Sequence, residues 1–394
     1  MNKRIVTVIA CLVVQLLVGI LYLWSIFNEP VQAFFGLPKS MASMVQSVMM
    51  FGFVSGNLIG GYLQDKTNPR LVAVIGVSLF GGGILLTAFV SFATWLIFVT
   101  YGVIAGLGCG FTYGSVLSCL QKWFPNKRGF ASGLSVAAFG FSTVVFTPVA
   151  EALMGAFDGN MRNTFLTLSL IFLAVGLVAC IFIRLPQGEA NKANEGPYLT
   201  PKQALKEPRF WCIALTLFFV NATWNIVCPV IKGMGVERGL SASAAGVLVM
   251  LTGVLSATGR LSMATISDKI GRVLTVTLLA ALTLICAVML IFSSEWLFFV
   301  VILLVAFGYG GPSATLPAMT TDLCGAKFSG TNYGMAMLGL GFSSIVFNGI
   351  SNALVGATGD YTASFIVAAV TAVITIGLMI LYKFFTKKAK EKNS

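Results

Sequence analysis

Eleven times along the chain, at least 21 consecutive residues pass without an Asp, Glu, Lys or Arg. These intervals are 5–28, 40–64, 71–121, 129–150, 163–183, 210–231, 239–259, 273–294, 296–321, 328–359 and 361–382. A water-soluble domain cannot be built this way, because about a quarter of its residues are charged. Here 10% are charged and 57% are hydrophobic. A bilayer core about 30 Å thick takes about 20 apolar residues per helix. Ten intervals fit one span each, and 71–121 fits two with a break near Ser91, Phe92, Ala93 and Thr94. The expected fold is all-α, with twelve transmembrane helices. Lipid satisfies no backbone hydrogen bond, so each span must be helical. A membrane β-barrel would instead alternate apolar and polar residues. The first interval is too long for a signal-peptide core and is expected to be retained.

The net charge of +12 reads as topology rather than as a nucleic-acid surface. With loops numbered between twelve spans, 20 Lys and Arg residues fall on one side. Only Lys39, Arg162, Lys232 and Arg238 fall on the other, and Arg260 alone lies inside a span. Positive-inside asymmetry places both termini in the cytoplasm of a cell, and of an inner membrane if the source is bacterial. The eight cysteines lie in or at the ends of spans, and histidine is absent. No Cys-x-x-Cys pair occurs, so a Cys/His metal site is not expected. The cysteines read as small buried apolar residues. No nucleophile–base constellation suggests an enzyme, and no cofactor is expected. "AGLGCGFTYG" (105–114) superficially suggests a nucleotide loop, but no strand can precede it within a span. Small-residue helix packing accounts for Gly106, Gly108 and Gly110.

The two halves of the chain resemble one another. Asp65-Lys66 recurs as Asp268-Lys269, and "GFSTVV" (140–145) as "GFSSIV" (341–346). Six spans per copy is an even number, so both copies face the same way. The expected organisation is a six-helix half over 1–184, a polar cytoplasmic linker over 185–207 and a second half over 208–394. Parallel repeats of this kind suit alternating access. "GGYLQDKTNPR" (60–70) and "GRLSMATISDKIGR" (259–272) each place an acid at a helix end, then Lys, a turn and Arg. The acid can accept from the N-terminus of a neighbouring helix, and the basic residues can pair across it. Asp65, Lys66, Arg70, Asp268, Lys269 and Arg272 are therefore expected to gate, a plain polar turn being the alternative.

That duplicated loop resembles a signature of the major facilitator superfamily. "QKWFPNKRGFASG" (121–133), "EPRFW" (207–211), "SDKIGR" (267–272) and "TNYG" (331–334) resemble the oxalate/formate antiporter family. That family also includes bacterial lactate and other monocarboxylate carriers. The resemblance covers nearly the whole chain.

Arg260 is the residue that asks for a chemical explanation. Arginine at a helix centre costs about 2.5–3.5 kcal/mol on insertion scales. It lies eight residues before Asp268, so about 12 Å into the membrane at 1.5 Å per residue. No acid lies near mid-depth in any span, and a carboxylate fits the planar guanidinium bidentately. The expected partner is the substrate; the alternatives are backbone carbonyls or Asp322. The resemblance points the same way, since the family binds carboxylate through an arginine at this position. It also implies that Tyr22, Tyr113 and Tyr309 line the pocket.

Oxalate-carrying members add a lysine eight residues after the asparagine of Asn-Tyr-Gly; here that position is Leu340. Where they have another aromatic, four residues after Tyr309, this chain has Ser313. A second carboxylate would lack a cation and cost several kcal/mol to bury. Lys232, near the outer end of its span, is the one substitute cation considered. A small monocarboxylate such as lactate, pyruvate, glycolate or formate is therefore expected. Ser256, one turn before Arg260 on the same face, could contact a substrate hydroxyl. Asn221 and Asn225 are weaker candidates. Proton coupling is expected, with Glu237 the first candidate proton carrier and a solvated loop acid its plainer reading. The rival readings are an oxalate:formate antiporter and a carboxylate sensor. The partners expected are the anion, protons and the lipid bilayer, with a monomeric carrier.

Overall fold

A computed structural model describes residues 3–37, 39–90, 93–187 and 196–393; the side chains of 22, 25, 39–43, 390, 392 and 393 are outside the description. Among the described residues there is no strand, and twelve helical segments are long and apolar enough to cross a membrane. The helices are α1 (Lys3–Val18), α2 (Trp24–Phe35), α3 (Lys39–Lys66), α4 (Pro69–Thr87), α5 (Gly106–Trp123), α6 (Arg128–Ala156), α7 (Met161–Ile181) and α8 (Pro201–Lys206). They continue as α9 (Pro208–Val220), α10 (Ala222–Val227), α11 (Ile231–Glu237), α12 (Ala242–Ile270), α13 (Arg272–Phe292), α14 (Glu295–Cys324), α15 (Ser329–Thr358) and α16 (Thr362–Asn393).

The apolar intervals set these boundaries, and polar residues trim them. Asn68 caps α4 by accepting from Leu71 N at 2.8 Å, with Pro69 at the first helical position. Ser241 does the same for α12 through Ala244 N at 3.2 Å. The fourth span opens as a π-helical stretch, Phe98–Ala105, before α5. The double interval 71–121 does divide, with α4 ending at Thr87 and helix resuming by Phe98. Ser91 and Phe92, half of the expected break, lie outside the described residues.

Four local features depart from the sequence reading. The first helix passes through a 3-10 turn at Gly19–Leu23 and continues as α2 through Glu29 and Pro30. The seventh span is three short helices. Its first break is at Asn221, whose side chain donates to Leu217 O at 2.5 Å and competes with the backbone ladder. Its second is the 3-10 turn Cys228–Val230, where Pro229 supplies no N–H. The tenth span, α14, stays helical through Pro312 and Pro317. The linker is not wholly irregular. Thr200 and Gln203 form a reciprocal capping box that starts α8. Among the cysteines, Cys228 departs from the expectation of burial and is exposed; the other seven are buried.

Two compact units result. One comprises Met1–Pro125, Ala138–Tyr198 and Gly325–Met335; the other comprises Asn126–Ala137, Leu199–Cys324 and Ala336–Ser394. The first turns of α6 thus pack with the α12–α14 region, and the first turns of α15 with α3–α5. In the first unit α3 lies against α5 at a glycine line. A Cβ at Gly110 would run into the Phe53 carbonyl oxygen and the Asn57 backbone nitrogen. Helix association in lipid depends on such close backbone approach, because apolar burial drives little. In the second unit α12 and α14 approach in the same way, Gly259 lying against Phe307 and Gly310 against Ser256. A cluster of Phe298, Val301, Ile302, Phe347 and Phe365 fills the space beside them.

Gly110→Ala has backbone on the opposing side and nowhere to relax, so it should destabilise by about 1–3 kcal/mol. Gly155, on exposed α6 with no atom within 4 Å of a new Cβ, is the control. Its alanine variant should be neutral or slightly stabilising. Thermal unfolding of the detergent-solubilised protein distinguishes the two.

Candidate functional site

Arg260 sits on α12 and is 4% exposed. Its Nη1 donates to Val136 O of α6 at 3.2 Å, so one of the carbonyl contacts considered above is made. The guanidinium carbon lies 5.7 Å from the centroid of the Tyr309 ring. On α10, Trp224 stacks against Tyr309, with centroids 4.9 Å apart and ring planes 14° apart. A cation over an aromatic face is attracted by the ring quadrupole. Arg260, Tyr309 and Trp224 thus form one group in the second unit. The sequence reading named the first two and missed Trp224, although an aromatic next to Asn225 in a broken span was a usable signal.

Asp322 accepts from Arg128 Nη1 at 3.1 Å and Arg272 Nε at 3.0 Å. Ser256 is 5% exposed and lies on the face of α12 that carries Arg260. Ser313 donates to Gly310 O at 2.7 Å, within its own helix. Asn225 donates to Ser343 Oγ of α15 at 3.0 Å, and Leu340 is half-buried on α15. Glu237 ends α11 exposed, and Lys232 is exposed too. Tyr113 belongs to the first unit. It is buried edge-on against Phe53 and Phe139, at 5.3 and 5.1 Å between centroids. Tyr22 falls in the 3-10 turn after α1, and its side chain lies outside the described residues.

In the first unit Asn57 is fully buried on α3. Its carboxamide lies over Gly114, the residue after Tyr113, with neither polar atom hydrogen-bonded. The sequence reading passed over it; an asparagine within an uncharged span was the only signal.

The duplicated loops build two matching caps. Asp268, at the end of α12, accepts from Gly129 N at 2.9 Å and Phe130 N at 2.8 Å, the first amides of α6. Asp65, at the end of α3, accepts from Gly330 N at 3.3 Å and Thr331 N at 2.7 Å, the first amides of α15. A carboxylate at a helix N-terminus satisfies amides that have no intrahelical partner and meets the positive end of the dipole. The copies then diverge. Arg272 pairs with Asp268 at 2.6 Å and with Asp322, which also holds Arg128. Around Asp65 the added hydrogen bond comes from the Thr331 hydroxyl at 2.7 Å, and the charge of Lys122 acts on the same carboxylate. Lys66, Arg70 and Lys269 are exposed, and Lys66 lies 4.2 Å over the Tyr62 ring. Arg128 and Asp322 are the members of this network that the sequence did not pair.

Among the described residues no group of three or more His, Cys, Asp or Glu could hold a metal ion. The arrangement has one buried cation beside an aromatic stack, with charged caps at the helix ends.

Among the described residues, twelve helical segments long and apolar enough to cross a membrane define a multi-pass membrane protein. The chain belongs to the Major Facilitator Superfamily, whose family profile matches residues 5–226 and 213–394. It is 26% identical over 390 residues to the oxalate:formate antiporter of Oxalobacter formigenes, covering 96% of this chain and 90% of that protein. It is likewise 26% identical over 353 residues to the uncharacterised MFS-type transporter YhjX of Escherichia coli K12, covering 87% and 86%. Monocarboxylate transporter 13 of Rattus norvegicus is 25% identical over 374 residues, covering 94% and 86%. The fold matches the crystal structure of FucP in the outward conformation with a TM-score of 0.77 at 14% identity, covering 97% of this chain and 99% of that one.

The unequal caps predict unequal costs. Asp65→Ala removes a helix cap and should cost about 1–2 kcal/mol. Asp268→Ala also takes away one of the two carboxylates that hold Arg272, which is 14% exposed and keeps Asp322, and should cost about 2–3 kcal/mol. Parallel thermal unfolding of the two variants in one detergent checks the order.

Proposed function

We propose that the chain carries a small monocarboxylate of the lactate, pyruvate or formate kind across a cell membrane together with a proton. Arg260 supports this reading. A guanidinium held at 4% exposure in a helix that is otherwise uncharged from Gly239 to Ser267 is costly unless it serves an anion. The planar fork takes one carboxylate bidentately, which a lysine cannot do. Residue 340 is leucine and every residue from Phe328 to Gly359 is uncharged, so α15 supplies no second cation. That favours one carboxylate over two. The aromatic faces of Tyr309 and Trp224 suit a short alkyl group. Tyr22, Tyr113 and Asn225 complete the proposed set of substrate contacts. Relatives named as an oxalate:formate antiporter and a monocarboxylate transporter support the small-organic-anion class.

In this reading residues 1–184 and 208–394 rock about the anion, with 185–207 as linker and both termini in the cytoplasm, where the basic loops lie. The Asp65 and Asp268 caps form and break during that cycle, so they gate. Moving a monocarboxylate with one proton is electroneutral, so a pH gradient alone can drive accumulation.

Purified protein in proteoliposomes with an acidic exterior should take up radiolabelled lactate, with oxalate a weak competitor. Arg260→Gln should lower uptake at least tenfold, and Arg260→Lys should restore little, since bidentate geometry is lost. Size-exclusion profiles in detergent establish that both variants fold. Exchange of oxalate for formate with no lactate uptake would overturn the monocarboxylate reading, and the search for a second cation would begin at Lys232.

A further inference from the structure

Beyond the first turn of α12, its hydroxyls behave alike with one exception. Thr252, Thr258, Ser262, Thr265 and Ser267 each donate to a carbonyl three or four residues earlier, at 2.6–2.9 Å. Ser256 is as well placed to do so, yet its Oγ has no hydrogen-bond partner, and the residue is 5% exposed. A buried hydroxyl without a partner forfeits the free energy of its desolvation. In a membrane span the ordinary remedy is the preceding turn's carbonyl, and its five neighbours take it.

The helix register puts this hydroxyl beside the guanidinium of Arg260. A Cβ at Gly129 of α6 would meet Ala264 O, and one at Gly133 would meet Arg260 O and Leu261 Cα. One turn of α6 therefore matches one turn of α12, in opposite directions. Val136, three residues beyond Gly133, comes level with Ser256 and Ala257. Val136 O is the carbonyl to which Arg260 Nη1 donates, so the guanidinium lies back over the turn that carries Ser256. That is the direction a long side chain takes on an α-helix, toward the N-terminus and onto the i−4 face. From α14, Gly310 closes the same level, since a Cβ there would meet Ser256 O and Arg260 N. The neighbouring Tyr309 lies beneath the cation.

We infer that Ser256 is a specificity-determining residue, and that with Arg260 it selects carboxylates bearing an oxygen on the carbon next to the carboxyl group. This rests on the proposed binding of a monocarboxylate at Arg260. The guanidinium takes the carboxylate, and the 2-hydroxyl or 2-oxo oxygen falls beside Ser256 Oγ. The serine can donate to either oxygen and can accept from a hydroxyl. Glycolate, lactate and pyruvate satisfy the pair. Acetate and propionate leave the serine buried and unpaired. Sites built to hydrogen-bond a substrate oxygen discriminate strongly against analogues that lack it.

Lactate and propionate differ at that oxygen and share the rest of their skeleton. In proteoliposomes the wild type should transport lactate with at least about tenfold higher kcat/KM than propionate. Ser256→Ala should bring the ratio to within about twofold, through loss of lactate transport with propionate unchanged. Ser256→Cys, close in size with a weak donor, should fall between. A wild type that does not discriminate, or a Ser256→Ala variant that keeps the full ratio while Arg260→Gln abolishes uptake of both acids, overturns the assignment and leaves the carboxylate site standing. If wild-type vesicles take up neither acid, the monocarboxylate reading falls and this assignment falls with it.

Discussion

A guanidinium buried in a transmembrane helix is the constraint on which the rest of the second unit turns. Solvation lost by Arg260 has to be made up locally, and the fold does so with a carbonyl on α6 and an aromatic face on α14. Both require backbones close enough for a side chain of fixed length to reach. The glycines at 133 and 310 supply that proximity, because any Cβ there would collide with the α12 backbone. Trp224 then fixes the ring that faces the cation. None of these contacts matches a carboxylate in strength, since charge-assisted bidentate pairs are about twice as strong as neutral hydrogen bonds.

The second constraint is the helix N-terminus. Four amides at the start of every helix lack an intrahelical acceptor, and lipid offers none. Asp65 and Asp268 solve this for α15 and α6 with one device used twice. The added partners differ because the surrounding sequence differs. Asp322 at the end of α14 attracts Arg272 and Arg128, whereas Gln121 holds the matching place in α5 and Thr331 supplies a hydroxyl to Asp65. One cap therefore adds direct ion pairs to its helix amides, and the other adds a hydroxyl hydrogen bond.

Much of this fold was legible in the sequence, since uncharged intervals of spanning length leave a chain few choices. The number of spans, the duplication and the two acid-bearing helix ends all follow from spacing along one dimension. The misses share a different cause. Asn221 breaks the seventh span because its amide takes a carbonyl from its own helix, and Pro229, without an N–H, sits in its second break. Hydropathy does not record either effect. Within the site, Arg260, Ser256 and Tyr309 stood out by charge, helical spacing or family likeness. Trp224 did not, because its role depends on which ring it stacks against, and that is a fact about three helices at once. The same holds for Arg128 and Asp322, each visible alone and paired only by the fold.

The contrast between Ser256 and its neighbours shows how energetics separates a structural polar residue from a binding one. A serine that donates to the preceding turn contributes to its helix and is indifferent to what passes beside it. Ser256 has the same local option as Ser262 or Ser267 and does not use it. Position decides the matter further. Thr258 is exposed and Ser262 half-buried, so an apolar substitution there would cost little, whereas Ser256 shares its level with the guanidinium, Val136 and Gly310. A buried donor at that level is costly without an acceptor and specific with one. An arginine alone distinguishes anions from neutral molecules; an arginine with a hydroxyl one turn away can also distinguish one carboxylate from another.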